Sequence, residues 1–374
     1  MSSPRQARLL IAPQAFKGTL SARRVAAAMA RGACAFARGR ISLSLDVCPM
    51  ADGGDGSLDA LVASGYTRVM TTTRGATGER RAAFVAVADR GAAVEIANAC
   101  GLARQVPIGL DPLGASSHGL GDAIHTALEG DPATLTIFLG GSASTDGGAG
   151  MLQALGARLR DANGDEVHAC GRSLKEITTL DVASLDPRLA GIDIVIATDV
   201  TSPLTGDRGA AYVFAPQKGA TPDDVITLDA GLRHWRRLLA DVAGVDAADE
   251  PGAGAAGGVG AAAMAVLRAR RRSGFDAIAE SVGLDARIAE ADAVLTGEGT
   301  FDHQSTLGKG TGRLLAQAQK AGIPAGLVCG RIDFPAEDLG RLGAVAGVAQ
   351  GHDGSGTSSA VETATTQVVS RLLQ

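Results

Sequence analysis

Apolar and polar positions fall into blocks along the chain, and the spacing within each block predicts strands and helices in alternation. "RLLIA" (8–12) is a short apolar run closed by Pro13, and "SARRVAAAMARGACAFAR" from Ser21 has apolar positions at helical spacing behind a capping serine. The pattern recurs as "SLSLDVCP" (42–49) followed by "SLDALVAS" from Ser57, closed by Gly65. Late in the chain come "ADAVLTG" (291–297), a helix near 311–321, "PAGLVCG" (324–330), "LGAVAGVA" (342–349) and a final helix from about 358. Strands and helices in this order imply a parallel sheet covered on both faces.

Between the ends the texture changes. "TRVMTTTR", "AAFVAVAD" and "AAVEIAN" within 67–98 are β-rich runs parted by short turns and predict an antiparallel meander. "TLTIFLGG" and "DIVIATD" follow, each running into a glycine-rich loop. The expectation is an α/β protein of two domains. Residues 1–67 and 286–374 form a discontinuous Rossmann- or flavodoxin-like parallel domain, residues 68–285 an inserted α/β domain, and the active site lies in the cleft between them.

Composition narrows the function. A length of 374 residues is ample for two cores, and a net charge of −5 with no like-charge run longer than Arg270–Arg272 argues against nucleic acid as a partner. Five dispersed cysteines without a C-x-x-C pair predict a reducing compartment, no disulfide framework and no zinc site. No apolar run approaches the roughly 18 residues of a membrane span, so a soluble cytoplasmic protein, monomeric or homodimeric, is expected.

The chemistry concentrates in loops predicted at strand ends, where open α/β sheets bind ligands. "APQAFKG" presents Lys17 and Gly18; "ADGGDG" presents Asp52, Gly53, Gly54, Asp55 and Gly56. "GGSASTDGGAG" (140–150) presents Ser142, Ser144, Thr145 and Asp146. "DVTSPLTGDRGA" opens on Asp199, and "TGEGTFDHQSTLGKG" (296–310) presents Glu298, Asp302, His303, Gln304 and Lys309. Glycine lets backbone N–H groups approach an anion, and lysine neutralises phosphate. Carboxylates among such loops imply a divalent cation or a base aimed at a hydroxyl, a combination that fits phosphoryl transfer.

Short nucleotide signatures do not account for these loops. A Walker A motif requires glycine where His303 stands and Ser or Thr where Gly310 stands. "GAGAAG" (252–257) matches a dinucleotide fingerprint by letter, yet Glu250-Pro251 precedes it where a strand belongs, which leaves a hinge or a nucleotide loop as its reading. Taken singly, each glycine loop is an ordinary turn and each lysine a solvated one; five such loops at strand ends make the case.

The set resembles the bacterial type I glycerate kinase family. "IAPQAFKGTLSA", "PMADGGDGS", "GGSASTDGGAGMLQALGA", "DVTSPLTGDRGAAYVFAPQKGAT", "PGAGAAGGVGAA" and "TGEGTFDHQSTLGKG" follow one another in the family's order across nearly the whole chain. Asp55 stands where members usually carry Glu, and Thr145 where they carry Asn. The resemblance implies ATP- and Mg²⁺-dependent phosphorylation of D-glycerate, most often on the 2-hydroxyl. In that scheme Lys17 and the amides of 53–56 hold phosphate, with Ser142, Asp146, His303 and Gln304 among the binding residues, and Lys309 offsets transition-state charge. Asp199 is the first candidate for the base and Asp302 the second. Asp52, Asp55 and Glu298 carry Mg²⁺, and Arg208 or Arg331 clamps the glycerate carboxylate.

Overall fold

The structure is a computed structural model describing residues 6–16, 18–106, 109–306, 310–349 and 357–373. The chain forms two compact units, one comprising Met1–Asp52, Asp59–Ser64 and Phe275–Gln374, the other Gly53–Leu58 and Gly65–Gly274.

The first unit is built on five parallel strands in the order Ala344–Val348, Ala325–Cys329, Ala293–Thr296, Gln6–Ile11, Ser42–Val47. Ala293–Thr296 and Ala325–Cys329 are buried throughout, as their unbroken apolar runs require when helices cover both faces. Strand order reverses at Gln6–Ile11, which pairs with Ser42–Val47 on one side and Ala293–Thr296 on the other. Loops after these strands meet at this reversal, where the Gln14 N–H donates to the Gly297 carbonyl and that of Met50 to the Pro13 carbonyl, both at 2.8 Å.

Helices Ala22–Ala37, capped by Ser21, and Ser358–Leu372, capped by Thr357, pack on this sheet. They cross backbone to backbone: a Cβ on Gly32 would stand 2.3 Å from the Glu362 carbonyl oxygen, and the Thr366 hydroxyl donates to the Gly32 carbonyl at 3.0 Å.

The second unit carries six strands in the order Arg270–Arg272, Asp193–Ala197, Thr134–Phe138, Gly91–Glu95, Arg80–Ala88, Thr67–Arg74. The first four are parallel and the last two pairings antiparallel, the latter matching the alternation along 67–95. "AAVEIAN" is strand only to Glu95, and Ile96–Cys100 turns into a fully buried helix, where continuous burial replaces the one-sided exposure of a meander. Helix Pro222–Ala243 begins in a capping box formed by Thr221 and Asp224 and buries Trp235, whose indole N–H donates to the Gly147 carbonyl at 2.9 Å.

"GAGAAG" is buried and closely packed in this fold. It leads into the buried helix Ala255–Val266 through left-handed backbone at Ala256. A Cβ on Gly257 would stand 2.2 Å from the Ser144 carbonyl oxygen, so the segment packs against the 140–150 turn.

All five cysteines are free thiols, and no helix among the described residues is long and apolar enough to cross a membrane.

Candidate active site

In the second unit the glycine-rich loops gather beyond the carboxyl ends of Thr134–Phe138 and Asp193–Ala197. Gly53 holds left-handed backbone (φ 88°), and a Cβ there would meet the Gly274 Cα at 2.8 Å and the Ala197 carbonyl at 3.2 Å. Gly140 donates its N–H to the Gly53 carbonyl at 3.0 Å, and a Cβ on Gly140 would lie 2.4 Å from the Gly54 Cα. Only paired glycines permit this contact. It brings the "ADGGDG" loop against the 140–150 turn and the end of the strand that delivers Asp199.

Asp199 is exposed, and its carboxylate accepts a hydrogen bond from the Gly274 N–H at 3.1 Å. A carboxylate fixed on one side and open to solvent has the character of a base that orients a hydroxyl. Asp55 is exposed and Gly54 and Gly56 half-buried; the Gly54 carbonyl accepts from the Ser57 N–H and hydroxyl, closing the loop into a helix start.

Two residues on the 140–150 turn are buried and hydrogen-bonded within the protein. Asp146 is fully buried, and its carboxylate accepts from the Ser117 N–H (2.7 Å) and hydroxyl (2.8 Å) and from the Gly148 and Gly150 N–H groups (both 3.2 Å). Ser142 is buried too, its hydroxyl accepting from the Lys218 ammonium at 3.1 Å. These bonds shape the turn from within.

In the first unit a second group assembles. The Gly330 N–H donates to the Glu298 carbonyl at 3.3 Å, and the short strands Thr300–Asp302 and Arg331–Asp333 pair in parallel. Asp302 caps the helix His303–Thr306, accepting from the Ser305 N–H (3.1 Å) and hydroxyl (3.4 Å). The exposed His303 ring stacks on Phe334 with centroids 6.5 Å apart. Arg331 pairs with Asp333 at 2.7 Å, whereas the exposed Arg208 in the second unit has no ion pair among the described residues. Asp52 is half-buried. Lys17 and Lys309, and the side chain of Gln304, lie outside the described residues. Among the described residues no three His, Cys, Asp or Glu side chains form a cluster that could hold a metal by themselves.

The profile of the glycerate kinase family matches residues 9–372. The chain belongs to the glycerate kinase family. It is 42% identical over 306 residues to the glycerate 2-kinase of Escherichia coli (strain K12), covering 81% of this chain and 79% of that one. It is 38% identical over 329 residues to the glycerate kinase of Bacillus subtilis (strain 168), covering 87% and 85%. The fold is similar to a crystal structure described as a "putative glycerate kinase 2" from Salmonella typhimurium LT2, with a TM-score of 0.84, 36% identity and 99% of each chain covered. As a member of the glycerate kinase family the protein is an enzyme, a kinase.

Two residues supporting this kinase's loops are invisible to motif reading. Lys218 sits in "APQKGAT", where one lysine in a loop reads as solvated, yet it is 3% exposed. Glu95 ends an apolar strand, is 3% exposed, and accepts from the N–H groups of Gly56 (3.3 Å) and Leu58 (3.0 Å). A charged residue interrupting a buried strand is the signal that could have singled it out. Glu95→Ala orphans both N–H groups and is expected to destabilise the second unit by about 1–3 kcal/mol. Denaturant unfolding followed by the fluorescence of Trp235, the chain's single tryptophan, measures this; an unchanged midpoint would contradict the role.

Proposed function

We propose that the protein transfers the γ-phosphoryl group of ATP to the 2-hydroxyl of D-glycerate, with Mg²⁺. The observation that carries this reading is the exposed Asp199, oriented by the Gly274 N–H beside a glycine loop, in a chain of the glycerate kinase family.

The loops suit a nucleotide phosphate. Gly56 has φ 95°, and a Cβ there would meet nothing within 4 Å, so the 53–56 loop is unobstructed on that side. The carboxylates Asp52, Asp55 and Glu298 suit Mg²⁺, which usually takes one or two protein carboxylates and leaves its other positions to phosphate and water; a self-sufficient three-residue cluster is not required. When bound, the ion neutralises charge on the transferring phosphoryl group.

Asp199 accepts the proton of the attacking hydroxyl, and because phosphoryl transfer proceeds with little early bond formation to the nucleophile, orientation matters more than basicity. Asp302, engaged as a helix cap, ranks behind it. Lys17 and the amides of 53–55 hold phosphate, the Gly56 N–H being given to Glu95, and Lys309 offsets developing charge. Arg208, free of an ion pair among the described residues, is the better clamp for the glycerate carboxylate, since Arg331 already has Asp333. Ser142 and Asp146 support binding by holding their turn, while His303 and Gln304, in the motif that ends at Gly310, bind substrate or phosphate.

Coupled ADP release across D-glycerate, L-glycerate, glycolate and tartronate tests the substrate. Turnover is expected with D-glycerate foremost; no ADP with any of them defeats the kinase assignment, and equal rates with all four point to a general hydroxy-acid kinase. Phosphorus NMR of the product is expected to show 2-phosphoglycerate, and 3-phosphoglycerate would overturn the regiochemistry. Arg208→Ala is expected to raise KM for D-glycerate by roughly 10-fold or more, the loss of a charge-assisted pair of hydrogen bonds, with Arg331→Ala near wild type. Steady-state kinetics showing the reverse order would move the clamp to Arg331.

A further inference from the structure

Lys218 ends the turn Pro216–Lys218 with its ammonium withdrawn from water. It donates to the Ser144 carbonyl at 2.5 Å, the Ser142 hydroxyl at 3.1 Å and the Thr145 hydroxyl at 3.5 Å. Three acceptors of one turn thus converge on one cation, while Asp146, the next residue, gathers four donors on its carboxylate. A buried charge is tolerated only when hydrogen-bonded and offset by an opposite one, and Asp146 supplies the opposite charge. The other titratable group facing Lys218 is Cys100, whose thiol burial pushes up to about 12, so it stays neutral. The same turn begins at Gly140, whose N–H holds the Gly53 carbonyl at 3.0 Å.

We propose that Lys218 is a positioning residue for phosphoryl transfer: its ammonium fixes the Ser142–Asp146 turn, and through the Gly140–Gly53 contact this turn sets the 53–56 loop against the nucleotide phosphates. The inference rests on the glycerate kinase reading above and adds to it a residue that touches neither substrate. Protonated, Lys218 has a donor for each of its three acceptors. Deprotonated, it has two donors and a lone pair facing carbonyl and hydroxyl oxygens, and the turn loses its anchor.

Burial, the leading cause, lowers the Lys218 pKa to about 8 from the ordinary lysine value, with the Asp146 charge acting against it. The proton is therefore lost as pH rises through about 8, and activity should fall there. The test compares kcat for D-glycerate between pH 6.5 and 9.5 in wild type, Lys218→Met and Ser142→Ala. Lys218→Met is expected to lower kcat at neutral pH by roughly 10- to 100-fold, the scale of a misplaced catalytic loop, and to abolish the alkaline limb. Ser142→Ala removes one acceptor from the ammonium and is expected to shift that limb to lower pH. A Lys218→Met enzyme with wild-type kcat, or with the limb intact, overturns the proposal. Should Lys218→Met fail to fold, Ser142→Ala decides, and a limb that does not move overturns it. A wild-type enzyme inactive on D-glycerate at every pH is a failure of the glycerate kinase reading, visible before any variant is made.

Discussion

The turn from Gly140 to Gly150 keeps an ammonium and a carboxylate out of water, and the surrounding structure is organised by the need to satisfy both. Lys218 draws the turn's carbonyl and hydroxyl oxygens to itself, and Asp146 draws N–H groups from the turn and from Ser117. Neither charge could remain buried alone, since removing one partner of such a pair leaves the other uncompensated at a cost of several kcal/mol. The indole of Trp235 reaches the Gly147 carbonyl, and "GAGAAG" closes over Ser144 and Thr145 with glycine where any side chain would collide. A rigid turn of this kind can serve as a reference surface for a loop that must hold still.

That loop is 53–56. It is held by the Gly140 N–H, by the close approach of Gly274 and the Ala197 carbonyl, and by Glu95 at the N–H groups of Gly56 and Leu58. Asp199 projects from the strand end beside it, its carboxylate steadied by Gly274. Preorganised donors and a preoriented carboxylate are what phosphoryl transfer asks of a protein, because positioning and electrostatics supply most of the acceleration.

Much of this was legible in the residues. Unbroken apolar runs such as "AVLT" and "AGLVC" mark strands covered on both faces, and glycine and carboxylate clusters after such runs mark strand-end loops. What the letters could not carry was burial. Asp146 and Asp199 sit in similar glycine-rich surroundings, yet one is enclosed by its own turn and the other faces solvent. Asp302 has the residue type of a base and the bonding of a helix cap. Lys218 resembles any loop lysine until the tertiary fold closes over it, and Glu95 is hidden in a strand whose other residues are apolar. Such roles depend on contacts between segments far apart in sequence, 74 residues in the case of Lys218 and Ser144, and local pattern has no access to them.

The proposed role of Asp199 is to orient the nucleophile for the chemical step. Rapid-quench single-turnover kinetics with ATP and D-glycerate, comparing wild type with Asp199→Asn, tests it most directly. The expected result is a phosphoryl-transfer rate reduced by roughly 10²–10⁴-fold, the contribution of a positioned general base, with glycerate binding little changed. A single-turnover rate equal to that of wild type would contradict it.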